Sequence, residues 1–135
     1  MSRKLLIISA VLGLIGSYSA FAAKMPTDIV GVYNCKGNDP TITPSNYTSK
    51  YTISIQGHQY IMADKVSDGA KMIGFDQFAI RKGNVLTIAY QRTKDLKIFG
   101  TESMTISDHG KYLTGIFSYW GEPNKIGTET CQRAN

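Results

Sequence analysis

Tyr51, Ile53 and Ile55 alternate with Thr52 and Ser54, and the same period of two recurs along most of the chain. Alternation of this kind puts apolar side chains on one face of a strand and polar ones on the other. β-Branched and aromatic residues dominate the runs, turn residues separate them at regular intervals, and beyond residue 22 there is no helical period. The predicted strands are Ile29–Lys36, Tyr47–Gln56, Gln59–Ala63, Ala70–Gln77 with Phe78–Arg81 as one bent strand or two, Val85–Arg92, Leu96–Ser107, Tyr112–Trp120 and Ile126–Gln132. Gly57-His58 predicts a tight hairpin turn. Asp64–Gly69, Lys82-Gly83-Asn84, Asp108–Lys111 and Gly121–Asn124 are read as further turns, and Gly37–Asn46, with two prolines, as a long loop.

Eight or nine strands joined mostly by short connections suit an all-β antiparallel meander. An open meander leaves two unpaired edges, whereas closure into an up-and-down barrel of about eight strands removes both.

The first residues change the picture of where such a barrel works. Arg3 and Lys4 precede an apolar run from Leu5 to Ile15, and Ser19-Ala20-Phe21-Ala22 supplies small residues for cleavage. This is the pattern of a bacterial-type signal peptide over residues 1–22, leaving a single domain over 23–135, periplasmic or secreted and with no stable membrane anchor. Loss of Arg3 and Lys4 lowers the net charge from +5 to +3. The remaining Lys and Arg are scattered with no basic stripe, which argues against nucleic-acid binding. Asn46-Tyr47-Thr48 matches a glycosylation site that has meaning only in a eukaryotic secretory host.

The chain has two cysteines, Cys35 in the first predicted strand and Cys131 in the last. An oxidising compartment favours a disulfide over a reactive thiol. A zinc site needs about four ligands, and His58 and His109 show no motif spacing with the cysteines. A disulfide needs Cα atoms within about 7 Å, which holds for first and last strands only if the barrel closes.

Gly31-Val32-Tyr33, early in the first strand of a small exported barrel, resembles the G-x-W signature of lipocalins, with Tyr33 where that family has Trp. The resemblance implies a lipocalin-like barrel in which a late basic residue, here Arg133, packs over the aromatic ring. Tyr33-Asn34-Cys35 together with Cys131 near the C-terminus also resembles the layout of the periplasmic inhibitors of c-type lysozyme. The S-x-S-G-x-R-Y type inhibitory loop of that family is not found here.

No catalytic motif is present: there is no G-x-S-x-G and no H-E-x-x-H. The two histidines fall in predicted turns. Asp76, Glu102 and Glu129 fall in strands, and the expectation is that they face solvent, because charged side chains are rarely buried without partners. Gly74, Gly100, Gly115 and Gly127 interrupt strands and are read first as bends, second as room for a ligand. The aromatic residues either fill the barrel or line a pocket at one mouth. Tyr119 and Trp120 end a strand and so mark a rim; with Tyr47 and Tyr112 they are the candidate ligand-binding residues, beside the Gly37–Asn46 loop. The expectation is a monomeric, non-enzymatic binding protein without cofactor or metal, taking a small apolar or amphipathic ligand, or a partner protein, at one open end. The alternative is an inhibitor or host-interaction protein acting through its loops.

Overall fold

A computed structural model describes residues 24–67 and 72–135. The predicted signal segment lies outside the described residues, as do Asp68, Gly69, Ala70 and Lys71. Eight strands follow in order: β1 Gly31–Asn38, β2 Asn46–Gln56, β3 Gln59–Ser67, β4 Met72–Lys82, β5 Val85–Arg92, β6 Asp95–Ser107, β7 Tyr112–Tyr119 and β8 Gly127–Arg133. Each pairs antiparallel with the next, and β1 pairs with β8, so the sheet closes on itself. Asp108–Gly110 forms one 3-10 turn between β6 and β7, with His109 in the left-handed region.

Burial alternates along nearly every strand, as the period of two requires. The predicted Asp64–Gly69 turn is corrected: β3 continues through Asp64 to Ser67, with Asp64 and Val66 in phase with Tyr60 and Met62. Residues 72–82 form one strand. The first predicted strand shifts by two residues, to begin at Gly31 and end at Asn38, which shortens the following loop to residues 39–45.

Cys35 and Cys131 sit directly opposite one another in the β1–β8 register and are joined by a disulfide, with Cα atoms 4.0 Å apart. Both are buried inside the barrel.

One end of the barrel is filled. Tyr33, Ile53, Tyr60, Met62, Leu86, Ile88, Met104 and Leu113 make its core, and the segment before β1 plugs it with Ile29 and Met25. The Tyr60 hydroxyl donates to the Pro26 carbonyl at 2.7 Å, and Arg81 makes a two-pronged pair with Asp28 at 2.5 and 3.0 Å. The guanidinium of Arg133 lies 5.4 Å from the Tyr33 ring centre and donates to the Tyr33 hydroxyl at 2.9 Å and to the Asp28 carbonyl. Tyr33 in turn donates to the carbonyls of Gly110 and Ile29 at 2.6 and 3.1 Å. These bonds tie both ends of the described chain to one plug, and direct any opening to the opposite mouth.

Candidate functional site

At that mouth the interior residues change from mostly aliphatic to mostly aromatic. Tyr47 of β2, Phe75 of β4, Tyr90 of β5 and Phe117 of β7 form a second buried cluster, with Ile42, Val66, Ile73, Ile98 and Tyr119 against it. The rings meet edge to face: Phe75 with Tyr90 at 5.7 Å, Tyr90 with Phe117 at 6.5 Å, Phe117 with Tyr47 at 6.2 Å and Tyr119 with Tyr90 at 5.7 Å between centres. Strand glycines make this layer possible. A Cβ at Gly37 would strike the Tyr47 ring, one at Gly127 the Phe117 ring, and one at Gly100 the Tyr90 hydroxyl and the Ser118 carbonyl. The space these glycines leave is taken by protein side chains.

The rings do not close the barrel. They surround a cavity of about 310 Å³, open to solvent, at the lower end of the range for small-molecule sites. Asp39, Thr41 and Ile42 of the 39–45 loop form part of its wall. Asp39 holds that loop against β7: it accepts from the Thr41 amide and hydroxyl at 2.8 and 2.7 Å, and from the Tyr119 hydroxyl at 2.8 Å. Trp120 and Phe99 stack at 5.8 Å on the rim, where Trp120 is 79% exposed.

The floor is polar. Between the aromatic layer and the aliphatic core lie Ser49, Tyr51, Asp64, Gln77, Glu102 and Glu129, all buried. Tyr51 donates to Glu102 at 2.9 Å, and Ser49 to Glu129 at 2.9 Å. A carboxylate oxygen of Glu129 lies within 4.8 Å of the disulfide sulfurs. Asp64 Oδ1, Gln77 Oε1 and Glu102 Oε1 accept no hydrogen bond from the protein. Burial, and secondarily the charge of Glu129, pushes the Asp64 carboxyl up to about 8. The same two causes hold Glu102 well above the ordinary carboxylate range, against the opposing Tyr51 hydrogen bond. Glu129 is raised by burial, against hydroxyls offered by Ser49, Tyr51 and Tyr47. Burial likewise pushes the phenols of Tyr47, Tyr90 and Tyr119 up, so they stay neutral donors.

The fold is similar to that of a de novo designed fluorescence-activating β-barrel. The TM-score is 0.60 over 82% of this chain and 100% of the designed one, at 9% sequence identity. At that identity the likeness shows the fold alone. No protein-family model matches the chain, and no curated protein does.

Of the four candidate ligand-binding residues, Tyr47, Tyr119 and Trp120 line the cavity. Tyr112 lies at the far end of β7, paired with Ser107 and Gln132 and covered by Lys111, away from the cavity. The expectation that the strand carboxylates face solvent is corrected for two of three: Asp76 is exposed, but Glu102 and Glu129 point inward. Asp64, Gln77 and Ser49 were not singled out from the sequence. His58 and His109 are exposed in turns. The one cluster of potential metal ligands among the described residues is Cys35, Glu129 and Cys131, and its two sulfurs are spent in the disulfide.

Proposed function

We propose that this chain is an exported, non-enzymatic binding protein that takes a small amphipathic ligand into the open end of its barrel. The observation that carries the reading is the aromatic cavity of about 310 Å³, lined by Tyr47, Phe75, Tyr90, Phe117 and Tyr119 above a polar floor. Aromatic walls with a few polar groups below are what small-molecule sites commonly present. The barrel likeness to a design described as fluorescence-activating agrees with a cavity of this kind. Arg133 over Tyr33 agrees with the lipocalin resemblance. Export agrees with the buried disulfide and with the N-terminal sequence pattern.

Trp120 on the rim is the reporter. Titration with a panel of environment-sensitive aromatic dyes is expected to shift or quench its emission. Val66→Trp, which fills the cavity from its wall, is expected to abolish dye binding while the far-ultraviolet spectrum stays that of a β-barrel. Dye binding unaffected by the filled cavity sinks the reading.

The exposed Trp120–Phe99 stack also favours a second reading, in which the rim docks on a partner protein, as an inhibitor of a hydrolase does. Full lysozyme activity at molar excess of this protein removes the lysozyme version of it.

A further inference from the structure

We propose that the ligand is an organic cation, a primary amine or guanidinium on an apolar body, whose charged nitrogen sits between Asp64, Gln77 and Glu102 on the cavity floor. The inference rests on the cavity reading above and names the chemistry it selects.

Three atoms carry the argument. Asp64 Oδ1, Gln77 Oε1 and Glu102 Oε1 are buried oxygens without a hydrogen-bond partner in the protein. All three residues line the cavity, at 5%, 6% and 4% exposure. With the two carboxyls ionised, each unmet atom is an acceptor. A buried polar group left unpaired costs folding free energy, so the site is complementary to a group that brings several N–H donors at once. An ammonium brings three and a guanidinium five, with a positive charge for the carboxylates.

The walls agree. Phe75, Tyr90 and Phe117 bound the same space, and the negative faces of such rings attract cations while their area takes up an apolar body.

The pH dependence has a fixed sign. With Asp64 raised to about 8 and Glu102 raised too, a cation must displace protons to bind at neutral pH. Affinity therefore rises as pH rises. The other groups that bear on this floor are Glu129 of β8, Tyr47 and Tyr51 of β2, Tyr90 of β5 and Tyr119 of β7. Asp39, Glu122, Arg92 and Lys97 stand nearer the mouth.

The test uses 2-phenylethylamine and its neutral counterpart 2-phenylethanol, with 3-phenylpropionate as the anion, measured by Trp120 fluorescence and calorimetry. The amine is expected to bind at least ~10-fold more tightly than the alcohol at pH 8, and to lose at least ~10-fold between pH 8 and pH 6. The alcohol's affinity changes little over that range. In Asp64→Asn/Glu102→Gln the amine's advantage and its pH dependence disappear while the alcohol still binds. Retained alcohol binding shows that the variant's cavity is intact. Equal affinity for amine and alcohol, or preference for the anion, overturns the cation assignment and leaves the cavity reading standing. If none of the three binds and the dye panel is also silent, both readings fall.

Discussion

Replacing Asp64 with Asn tests the polar floor through stability alone, with no ligand. In the folded barrel the Asp64 carboxyl is raised from 3.8 to about 8. Between those values the folded state holds a proton that the unfolded state has released. Stability conferred by the protonated form is therefore full below about pH 4, falls as pH rises, and is gone above about pH 8. At ~1.36 kcal/mol per unit, the three units from about pH 4 to pH 7 amount to about 4 kcal/mol. Water entering at the open mouth screens part of this, so the least expected change is about half, or ~2 kcal/mol. Asp64→Asn keeps the shape and cannot ionise. The assay is urea unfolding of both proteins at half-unit steps from pH 4 to pH 8. The variant is expected to match or trail the wild type near pH 4 and to gain on it steadily as pH rises. By pH 7 the gain corresponds to a Tm difference on the order of 10 °C. Glu102 and Glu129 titrate in both proteins, and Asp28, lowered by its bond to Arg81, loses its contribution only at more acid pH. A stability difference that stays flat from pH 4 to pH 8 refutes the placement of an ionisable, desolvated Asp64 in the barrel.

Three further outcomes are expected. Replacing both cysteines by Ala removes a crosslink between residues 96 apart, and calorimetry should show a loss of about 4–5 kcal/mol by the chain-entropy account. Arg133→Ala leaves the Tyr33 ring uncovered and takes a donor from Asp28, so chemical denaturation should report a loss of about 1–3 kcal/mol with no effect on dye binding at the opposite mouth. Gly127→Ala sets a methyl into the Phe117 ring, and is expected to cost about 1–3 kcal/mol and to alter dye affinity, because that ring borders the cavity.

Much of the barrel was legible because its strands obey the period of two and its turns carry the residues that turns need. Closure could be argued from Cys35 and Cys131, since first and last strands meet only in a closed sheet. The floor was harder to read. Asp64-Lys65 resembles a turn in composition, yet Asp64 keeps the inward phase of Tyr60 and Met62. Glu102 keeps the phase of Met104 and Ile106, and Glu129 that of Cys131. Phase was the available signal, and the general rarity of buried charge outweighed it. The rim showed the opposite fault. Tyr112 and Tyr119 belong to one aromatic strand, but a strand of eight residues spans the barrel, so its two ends face different mouths. At Gly37, Gly100 and Gly127 the reason for glycine becomes visible only when a ring from the neighbouring strand is laid across it.

The disulfide lies on the inner wall, with Cys131 fully buried and Cys35 2% exposed. A thiolate must reach a sulfur atom in line to exchange with it. In the closed barrel that approach is blocked, so a reductant has to wait until strands β1 and β8 part. The speed at which an external thiol cleaves this bond then reads out how often the seam opens, independent of how strong the reductant is once enough is present. A protein with its crosslink on the outside would lose it at a rate set by redox chemistry. Here the rate is set by mechanics, and reduction becomes a clock for the opening of the barrel.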